Sequence, residues 1–329
     1  MSKIFILSFA SHFTGGTEAS HQLCQSLRNN GFDAYIYYIN VQHGIDPVHE
    51  LFKTYNIRIA DTFIDVPDNF IIFPEILTEA IFMVKYAKKI IWWLSVDNYY
   101  NNLFARLESN QYGAMKLFNI AQPDMFDCYH FTQSHYAKEH LLFHGVDVKR
   151  IFMVTDYINS RYMPLADSEY VSEGRESVCL FAPRRGLEFV EMLKAYGANL
   201  SERIIFVPIE NLEPQEVPLF MRQARVFIDF GFHPGMDRMP REAAINGCCV
   251  ITNTDGAARY DQDVPIPKEY KIEGTAENFG RIYDLIRSCV THYDNHIHNF
   301  AEYRQFIRSQ KANFEKEVVE CFTQLTSSL

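Results

Sequence analysis

Apolar and polar positions alternate along the chain in a pattern that predicts strands separated by helices. In the first half, apolar runs that predict strands lie at 4–9, 34–39, 70–73, 90–94, 129–132 and 151–154. Helical stretches lie between most of them; in 18–30, for example, Ala19, Leu23 and Leu27 share one face. Continuous apolar strands separated by helices predict a parallel sheet whose two faces are both covered.

The same alternation restarts in the second half. The polar segment 167–176 is the linker candidate between the two halves. After it, strands are predicted at 178–181, 204–207, 226–230 and 248–252, and helices at 186–196, 214–223, 276–293 and 299–325. We therefore predict an α/β protein with two Rossmann-like lobes, 1–170 and 171–298, which face each other across a cleft.

Length and composition fit two lobes and exclude some partners. At 329 residues the chain exceeds the usual size of one hydrophobic core. The net charge of −10 argues against a nucleic-acid partner, because a phosphate backbone requires a basic face. Seven cysteines without CxxC spacing predict reduced thiols and a cytoplasmic location. No apolar stretch reaches the roughly 18 residues of a membrane span, although peripheral contact with the inner membrane surface stays open.

One segment of the second half combines a helix start with charged side chains. An apolar strand at 225–230 is followed by a break at 233–235, a short helix that begins at Pro240, and a stop at Gly247. The loop and first helical turn hold His233, Gly235, Asp237, Arg238, Arg241 and Glu242. A helix start attracts anions, arginines add phosphate donors, and the Glu242 carboxylate can accept hydrogen bonds from sugar or ribose hydroxyls. This chemistry predicts a nucleotide-sugar site.

The segment resembles the donor-binding segment of GT-B glycosyltransferases, in particular the bacterial enzymes that build capsule and O-antigen polysaccharides. The likeness rests on the Pro/Gly-rich loop, the Arg-Glu-Ala-Ala helix at 241–244, and the later loop Asp255-Gly256-Ala257. It implies transfer of a sugar from a nucleotide-diphosphate sugar to a glycan or lipid-linked acceptor, with Glu242 on the donor ribose. Retaining members often carry another glutamate eight positions earlier, where this chain has Pro234. Inverting and retaining chemistry therefore both stay open.

Arg184 and Arg185 follow one strand of the second lobe and precede a helix. The resemblance places basic residues there, against the donor diphosphate. Such residues stabilise the departing nucleotide diphosphate, a task that a metal ion performs in other transferases. Asp261 and Asp263 match the DxD pattern of metal-dependent transferases, but their Tyr/Pro-rich surroundings indicate a solvated loop. We therefore expect no metal ion and no cofactor other than the donor.

Two places in the first lobe are candidates for acceptor chemistry. The first is the loop after the first strand, which holds His12, Gly15, Gly16 and Thr17. Its glycines let backbone amides approach a ligand, and a plain structural turn is the alternative. The second is Asp97, beside aromatic residues after another strand, which suits a general base for the acceptor hydroxyl or a cap for the next helix. Glu75, just beyond a further strand, is the rival base.

The last helix is long for its place in the chain. At 1.5 Å per residue it would extend roughly 40 Å, more than capping one lobe requires. GT-B proteins commonly end in this way, so 299–329 is expected to pack back on the first lobe.

Two other functions stay open beside the transferase. A non-catalytic GT-B-like partner of a polysaccharide assembly complex fits the loss of the upstream glutamate at Pro234, whereas the retained basic pair and Glu242 favour a working phosphate site. A sugar-nucleotide epimerase of the same architecture would need further first-lobe carboxylates, which the sequence does not place.

Overall fold

The computed structural model describes residues 2–109, 125, 127–164, 170–198 and 200–327. Its contacts divide the chain into two compact units. The first comprises Met1–Tyr157 and Lys311–Leu329, and the second comprises Ile158–Gln310. No helix of the described ranges is both long enough and apolar enough to cross a membrane.

The boundary lies between Tyr157 and Ile158, earlier than the predicted position after residue 170. Tyr162 explains the difference, because it is buried among residues of the second unit. Its carbonyl accepts a 2.8 Å hydrogen bond from Nδ2 of Asn246, and the Arg238 guanidinium lies 4.9 Å from its ring centre. The chain thus enters the second unit before the polar stretch that the sequence offered as a linker.

The first unit contains a parallel six-stranded sheet. Its strands are β1 (Lys3–Phe9), β2 (Asp33–Ile39), β3 (Phe70–Pro74), β4 (Lys88–Trp93), β5 (Tyr129–Thr132) and β6 (Ile151–Met153). They lie in the order β2-β1-β3-β4-β5-β6. Among the described residues of this unit, α-helices are α1 (Gly15–Asn29), α2 (Val96–Glu108) and α3 (His135–Phe143). All six strands were predicted from the apolar runs, with ends that differ by at most two residues.

Both faces of this sheet are packed. One core joins alternate residues of β1 and β3 to α1 and to the last helix of the chain, which spans Ala301–Ser327. The last helix contributes Phe314, Val318, Cys321, Phe322 and Leu325 to that core. A second core takes the intervening residues of the same strands, Phe5, Leu7, Ile71 and Phe73. The part of the last helix that belongs to the first unit begins at Lys311, later than residue 299.

The second unit contains a parallel four-stranded sheet. Its strands are β7 (Glu176–Phe181), β8 (Ile205–Pro208), β9 (Ala224–Asp229) and β10 (Cys249–Thr252), in the order β10-β9-β7-β8. Its helices are α4 (Pro183–Gly197), α5 (Val217–Gln223), α6 (Arg238–Ile245), α7 (Phe279–Thr291) and α8 (Tyr293–His296), and the helix Ala301–Ser327 is α9. Two parallel sheets with helices confirm the predicted α/β class.

Three helices, α1, α4 and α6, begin two or three residues earlier than the sequence predicts. In α1, Thr14 and Thr17 cap each other reciprocally: the Thr14 hydroxyl accepts from the Thr17 amide at 3.2 Å, and Thr17 Oγ1 accepts from the Thr14 amide at 2.9 Å. Gly15 and Gly16 are therefore helical residues and not a loop. In α6, helical geometry begins at Arg238. Pro240 fits the first turn, because backbone amides there have no acceptor within the helix and proline, which lacks the amide hydrogen, loses no hydrogen bond.

Candidate functional site

A cavity of about 720 Å³ opens where the strands of the second unit end. Its wall is formed by the start of α4, the loop after β8, and the residues that follow β9; the charged or amide side chains among them are Arg184, Arg185, Glu210, Asn211, Asp229 and Asp237. Strands β7 and β9 pair in parallel with Phe181 opposite Ile228, so the loops after them emerge side by side. Ligands of open α/β sheets bind at such an edge.

Arg184 and Arg185 stand in the first turn of α4. The helix begins at Pro183, and its N-cap residue Ala182 has no side-chain cap, so the first-turn amides are not covered by a side chain. Both arginines are exposed and line the cavity. Two predicted phosphate-binding residues and an uncapped helix start thus meet at one wall, which favours an anionic ligand.

Asp237 orients Arg185, although Arg185 belongs to α4 and Asp237 to the loop before α6. Nη1 of Arg185 lies 2.7 Å from Oδ2 of Asp237 and 3.1 Å from the carbonyl oxygen of Phe232. Gly231 permits this approach: an added Cβ would lie 2.4 Å from Cβ of Arg185 and 2.8 Å from its carbonyl oxygen. The loop after β9 can lie against α4 because position 231 has no side chain.

His233 is held between two aspartates and is 1% exposed. Its Nε2 lies 3.3 Å from the carbonyl oxygen of Asp229. A carbonyl only accepts, so Nε2 carries a hydrogen. Its Nδ1 faces Oδ2 of Asp237 at 3.6 Å. His233 is not itself part of the cavity wall, but it neighbours Asp237, which is.

Among the described residues, Asp229, His233 and Asp237 form a group that could hold a metal ion, since one ligand atom of each lies within 4.8 Å of the others. Arg185 opposes a cation there, because its positive charge already contacts Oδ2 of Asp237. Burial raises the pKa of the Asp237 carboxyl, while the positive charges of Arg185 and His233 act against that rise.

Asp261 and Asp263, the DxD match, are not members of this group. Asp261 is exposed, and its carboxylate accepts a 2.8 Å hydrogen bond from Nζ of Lys271, which lowers its pKa. Asp263 is buried, at 2% exposure, and is therefore not part of a solvated loop as predicted. The peptide turns here: the Asp263 amide donates to the Tyr260 carbonyl at 3.2 Å, so the two carboxylates have different surroundings.

Glu242 and Arg238 form a pair on α6. Nε and Nη2 of Arg238 lie 3.0 and 2.9 Å from Oε1 of Glu242. Glu242 is buried at 6% exposure, and Arg238 also lies over the Tyr162 ring. Arg238 therefore fixes the orientation of the Glu242 carboxylate, the group that the resemblance assigns to the ribose.

Arg241 does not face the cavity, contrary to its predicted role as a donor contact. It is 0% exposed. Its guanidinium donates to the carbonyl oxygens of Asp237 at 3.1 Å and Met236 at 2.6 Å, and to Oε1 of Gln310 at 3.1 Å. Arg241 therefore holds the loop that carries Asp237 in place. It can influence a ligand in the cavity only by positioning that loop.

The glycine-rich parts of the motif also brace the loop. Gly235 is buried and precedes α6. Gly256 has a positive φ of 51°, and an added Cβ would lie 2.0 Å from the carbonyl oxygen of His233. That carbonyl accepts a 2.8 Å hydrogen bond from the Ala257 amide. The loop Asp255-Gly256-Ala257, which is part of the resemblance, thus holds the backbone of His233 in place.

The candidate loop of the first unit is partly structural. Thr17 is buried, and its hydroxyl donates to the His12 carbonyl at 3.0 Å as part of the helix cap. His12 is exposed, and Gly15 and Gly16 are half-buried. An added Cβ on Gly16 would lie 3.4 Å from Cδ1 of Leu94, so the start of α1 neighbours the end of β4.

Glu75 follows β3 and lies beside the end of β4. It is 4% exposed, and its Oε2 accepts a 3.2 Å hydrogen bond from the Leu94 amide. Burial raises the pKa of the Glu75 carboxyl to about 8. At neutral pH this group therefore holds its proton, which weakens it as a base.

Asp97 is the second residue of α2 and is half-buried. The helix is capped by Ser95, whose hydroxyl accepts a 3.1 Å hydrogen bond from the Asn98 amide. The alternative role of Asp97 as the N-cap is thus wrong, because Ser95 occupies that position. Both candidate bases lie at the edge of the sheet where β3 and β4 end.

Sequence reasoning missed three contributors to the cavity: Asp229, Gly231 and the loop 209–212. Asp229 is the last residue of β9, and the apolar run that predicts this strand does not indicate that its side chain lines a cavity. In the loop after β8, Asn211 has a positive φ of 56°, which asparagine tolerates better than most residues. An asparagine after a short apolar strand was the available signal for that turn.

Comparisons with known proteins agree with this architecture. No protein-family model matches the chain, and no curated protein matches it. Among solved structures, HepE from Anabaena in complex with UDP has a TM-score of 0.64 at 11% identity, covering 98% of this chain and 100% of that chain. Sucrose-phosphate synthase from Thermosynechococcus elongatus has a TM-score of 0.68 at 12% identity, covering 100% of both chains.

A further match is the lipopolysaccharide outer core galactosyltransferase WaaB in its apo form. Its TM-score is 0.58 at 12% identity, over 97% of this chain and 99% of that chain. Identities this low establish the fold alone. The chain has the GT-B fold that the sequence resemblance predicts.

Proposed function

We propose that this protein is a glycosyltransferase that moves a sugar from a nucleotide-diphosphate sugar to a glycan or lipid-linked acceptor in bacterial surface polysaccharide synthesis. The observation that carries the proposal is the cavity wall of the second unit, where Arg184 and Arg185 are exposed at the uncapped start of α4. A diphosphate matches this wall in charge, and arginines bind phosphate oxygens through two parallel hydrogen bonds.

The nature of the donor is supported by structures of the same fold. HepE was solved with UDP and with UDP-glucose. WaaG, at a TM-score of 0.56 and 13% identity, is described as a glycosyltransferase involved in lipopolysaccharide biosynthesis. We therefore propose a nucleotide-sugar donor and use UDP as its first probe. A lipid-linked acceptor would bring the chain to the inner membrane surface.

The roles of the side chains follow from their surroundings. The two arginines would neutralise the departing nucleotide diphosphate, so we propose that transfer needs no metal ion. Glu242, held by Arg238, would bind the donor ribose. For the acceptor hydroxyl we favour Asp97 over Glu75, because the Glu75 carboxyl has a pKa near 8 and holds its proton at neutral pH. If the enzyme retains configuration, Asp97 would only orient the acceptor.

A thermal-shift panel with UDP, GDP and CMP tests the donor site. A nucleotide at about 100 times its dissociation constant should stabilise the folded state by roughly 2.7 kcal/mol. Arg185→Ala should weaken UDP binding at least about tenfold, whereas Arg281→Ala, at an exposed position on α7, should not. Equal shifts for wild type and Arg185→Ala would overturn the assignment. Binding of UDP-sugars without transfer to any acceptor would favour the non-catalytic partner, and release of free nucleotide with an altered sugar would favour an epimerase.

A further inference from the structure

We infer that His140, His144 and Tyr100 form a binding site for one zinc ion, which ties helix α3 to helix α2. His140 lies on α3, His144 is the residue that ends it, and Tyr100 lies on α2. Histidines four positions apart on a helix present their rings on one face, an arrangement that holds zinc in other proteins. The inference concerns the first unit and does not rest on the proposed donor site.

The distances among the three side chains suit a metal ion. Nε2 of His140 lies 3.2 Å from the Tyr100 hydroxyl oxygen, and Nε2 of His144 lies 3.4 Å from the same oxygen. Ordinary hydrogen bonds of nitrogen and oxygen measure about 2.7–3.0 Å, so both contacts are long. Two ligand atoms of a tetrahedral zinc ion lie about 3.3 Å apart, because each is about 2.0–2.1 Å from the ion. The two distances therefore match two edges of a zinc tetrahedron.

The pair His292 and His296 has the same spacing in the sequence and a different environment. Nδ1 of His296 lies 2.8 Å from the Tyr270 hydroxyl, and its Nε2 lies 2.8 Å from the Ser288 hydroxyl. Both are ordinary hydrogen-bond distances, so both ring nitrogens of His296 are occupied within the protein. Spacing alone does not make a metal site; on α3 it is the tyrosine from another helix that adds the third ligand.

The surroundings of Tyr100 attract a cation. Asp97 lies one turn earlier on α2, and its negative charge acts on the Tyr100 hydroxyl. That charge opposes ionisation of the phenol by itself, whereas it attracts a divalent ion, which displaces the phenol proton to solvent when the oxygen binds. The side chains of Tyr100, His140 and His144 are half-buried, so an ion can enter from solvent. Two nitrogen ligands favour zinc, copper or nickel over magnesium, calcium or manganese.

A bound ion joins two helices that are separate in the chain. Tyr100 follows Asp97 by one helical turn, so the ion restrains the part of α2 that carries the candidate base. Its role is structural: zinc stabilises the folded first unit, because the unfolded chain does not hold the three ligands together. The expectation that sugar transfer needs no metal ion at the diphosphate is unaffected.

Titration calorimetry of the chain, purified without a histidine tag, tests the site with zinc chloride. The wild type should bind one zinc ion. His140→Gln and His144→Gln should each weaken this binding at least about tenfold, the loss that even an outer partner of a metal site can cause. Tyr100→Phe removes only the oxygen and should also weaken binding about tenfold. His43→Gln, at an exposed position of the same unit, is the matched control and should keep the wild-type affinity.

Tryptophan fluorescence locates the ion. The two tryptophans of the chain, Trp92 and Trp93, are neighbours on β4. The ring centre of Trp93 lies 6.0 Å from that of His140. Copper(II) quenches tryptophan at such short range and binds nitrogen ligands more tightly than zinc does. One equivalent of copper should therefore quench the wild type and the His43→Gln control, and leave His140→Gln largely fluorescent.

The outcomes decide the site without reference to the donor, since neither titration contains UDP. Absence of zinc binding to the wild type would overturn the site even if a variant fails to fold. Wild-type affinity in Tyr100→Phe would overturn the three-ligand geometry. Zinc binding that is lost in His233→Gln and kept in His140→Gln would place the ion in the second unit and overturn the assignment to α2 and α3.

Discussion

Arg185 and Asp237 are joined by a 2.7 Å hydrogen bond between Nη1 and Oδ2, although 52 residues separate them in the sequence. The same Nη1 also contacts the Phe232 carbonyl. Both acceptors belong to the loop after β9, so this loop orients a guanidinium that belongs to α4. We therefore expect the affinity for a diphosphate to depend on the orientation of the planar Arg185 guanidinium as well as on its charge.

Arg185→Lys tests that geometry. Lysine keeps the charge and loses the planar fork that binds two phosphate oxygens at once. We expect UDP affinity to fall about tenfold, less than in Arg185→Ala. Isothermal titration calorimetry of the three proteins measures the order, and wild-type affinity in the lysine variant would show that charge alone suffices.

Gly231→Ala should destabilise the second unit by about 1–3 kcal/mol, since an added methyl group must overlap Arg185. Its Cβ would lie 2.4 Å from Cβ of Arg185. Gly186→Ala is the matched control, because an added Cβ meets nothing within 4 Å and alanine favours the helix. Denaturant unfolding measures both variants. Equal stability of the two would contradict the close approach.

Glu75→Gln should change how stability depends on pH. The folded-state pKa of Glu75 is raised from 4.5 to about 8, so its contribution to stability is full below pH 4.5 and is lost as the pH rises towards 8. Glutamine can still accept from the Leu94 amide and has no proton to lose. Relative to the wild type, the variant should gain stability between pH 5 and pH 8, by up to about 1.4 kcal/mol per pH unit. Parallel denaturation curves at both pH values would refute the raised pKa.

Asp97→Asn separates a base from a structural residue. A general base predicts a rate loss of about 100-fold or more with acceptor binding intact. Ser95→Ala is the control, because it removes the cap of the same helix and should lower stability by about 0.5–2 kcal/mol with little change in turnover. Turnover near wild type in Asp97→Asn would exclude the base.

Transfer is expected to continue in the presence of EDTA, because the arginines can balance the leaving diphosphate. Asp261→Asn should have wild-type activity, since its carboxylate is exposed and paired with Lys271. Activity that EDTA abolishes and manganese restores would show that a metal ion takes part.

Much of the fold follows from local pattern. The apolar runs of β1 to β6 and the Arg-Glu-Ala-Ala helix are visible in the sequence because periodicity and helix-start signals depend on near neighbours only. Parallel pairing follows from the helices between the strands. The sequence also indicates that Arg184 and Arg185 follow a strand, and so lie where the strands of a sheet end.

The tertiary structure alone decided which side chains are buried and which residues far apart in the sequence come into contact. Arg241 and Arg238 have the same chemistry and lie three positions apart, yet only Arg241 is enclosed by Met236 and Gln310. The order of strands brings β7 next to β9, and this places Arg185 beside Asp237. The raised pKa of Glu75 likewise depends on β3 and β4 being neighbours. The sequence by itself determined which segments form strands and helices; which side chains meet, and which lose water, depends on the order in which those segments pack.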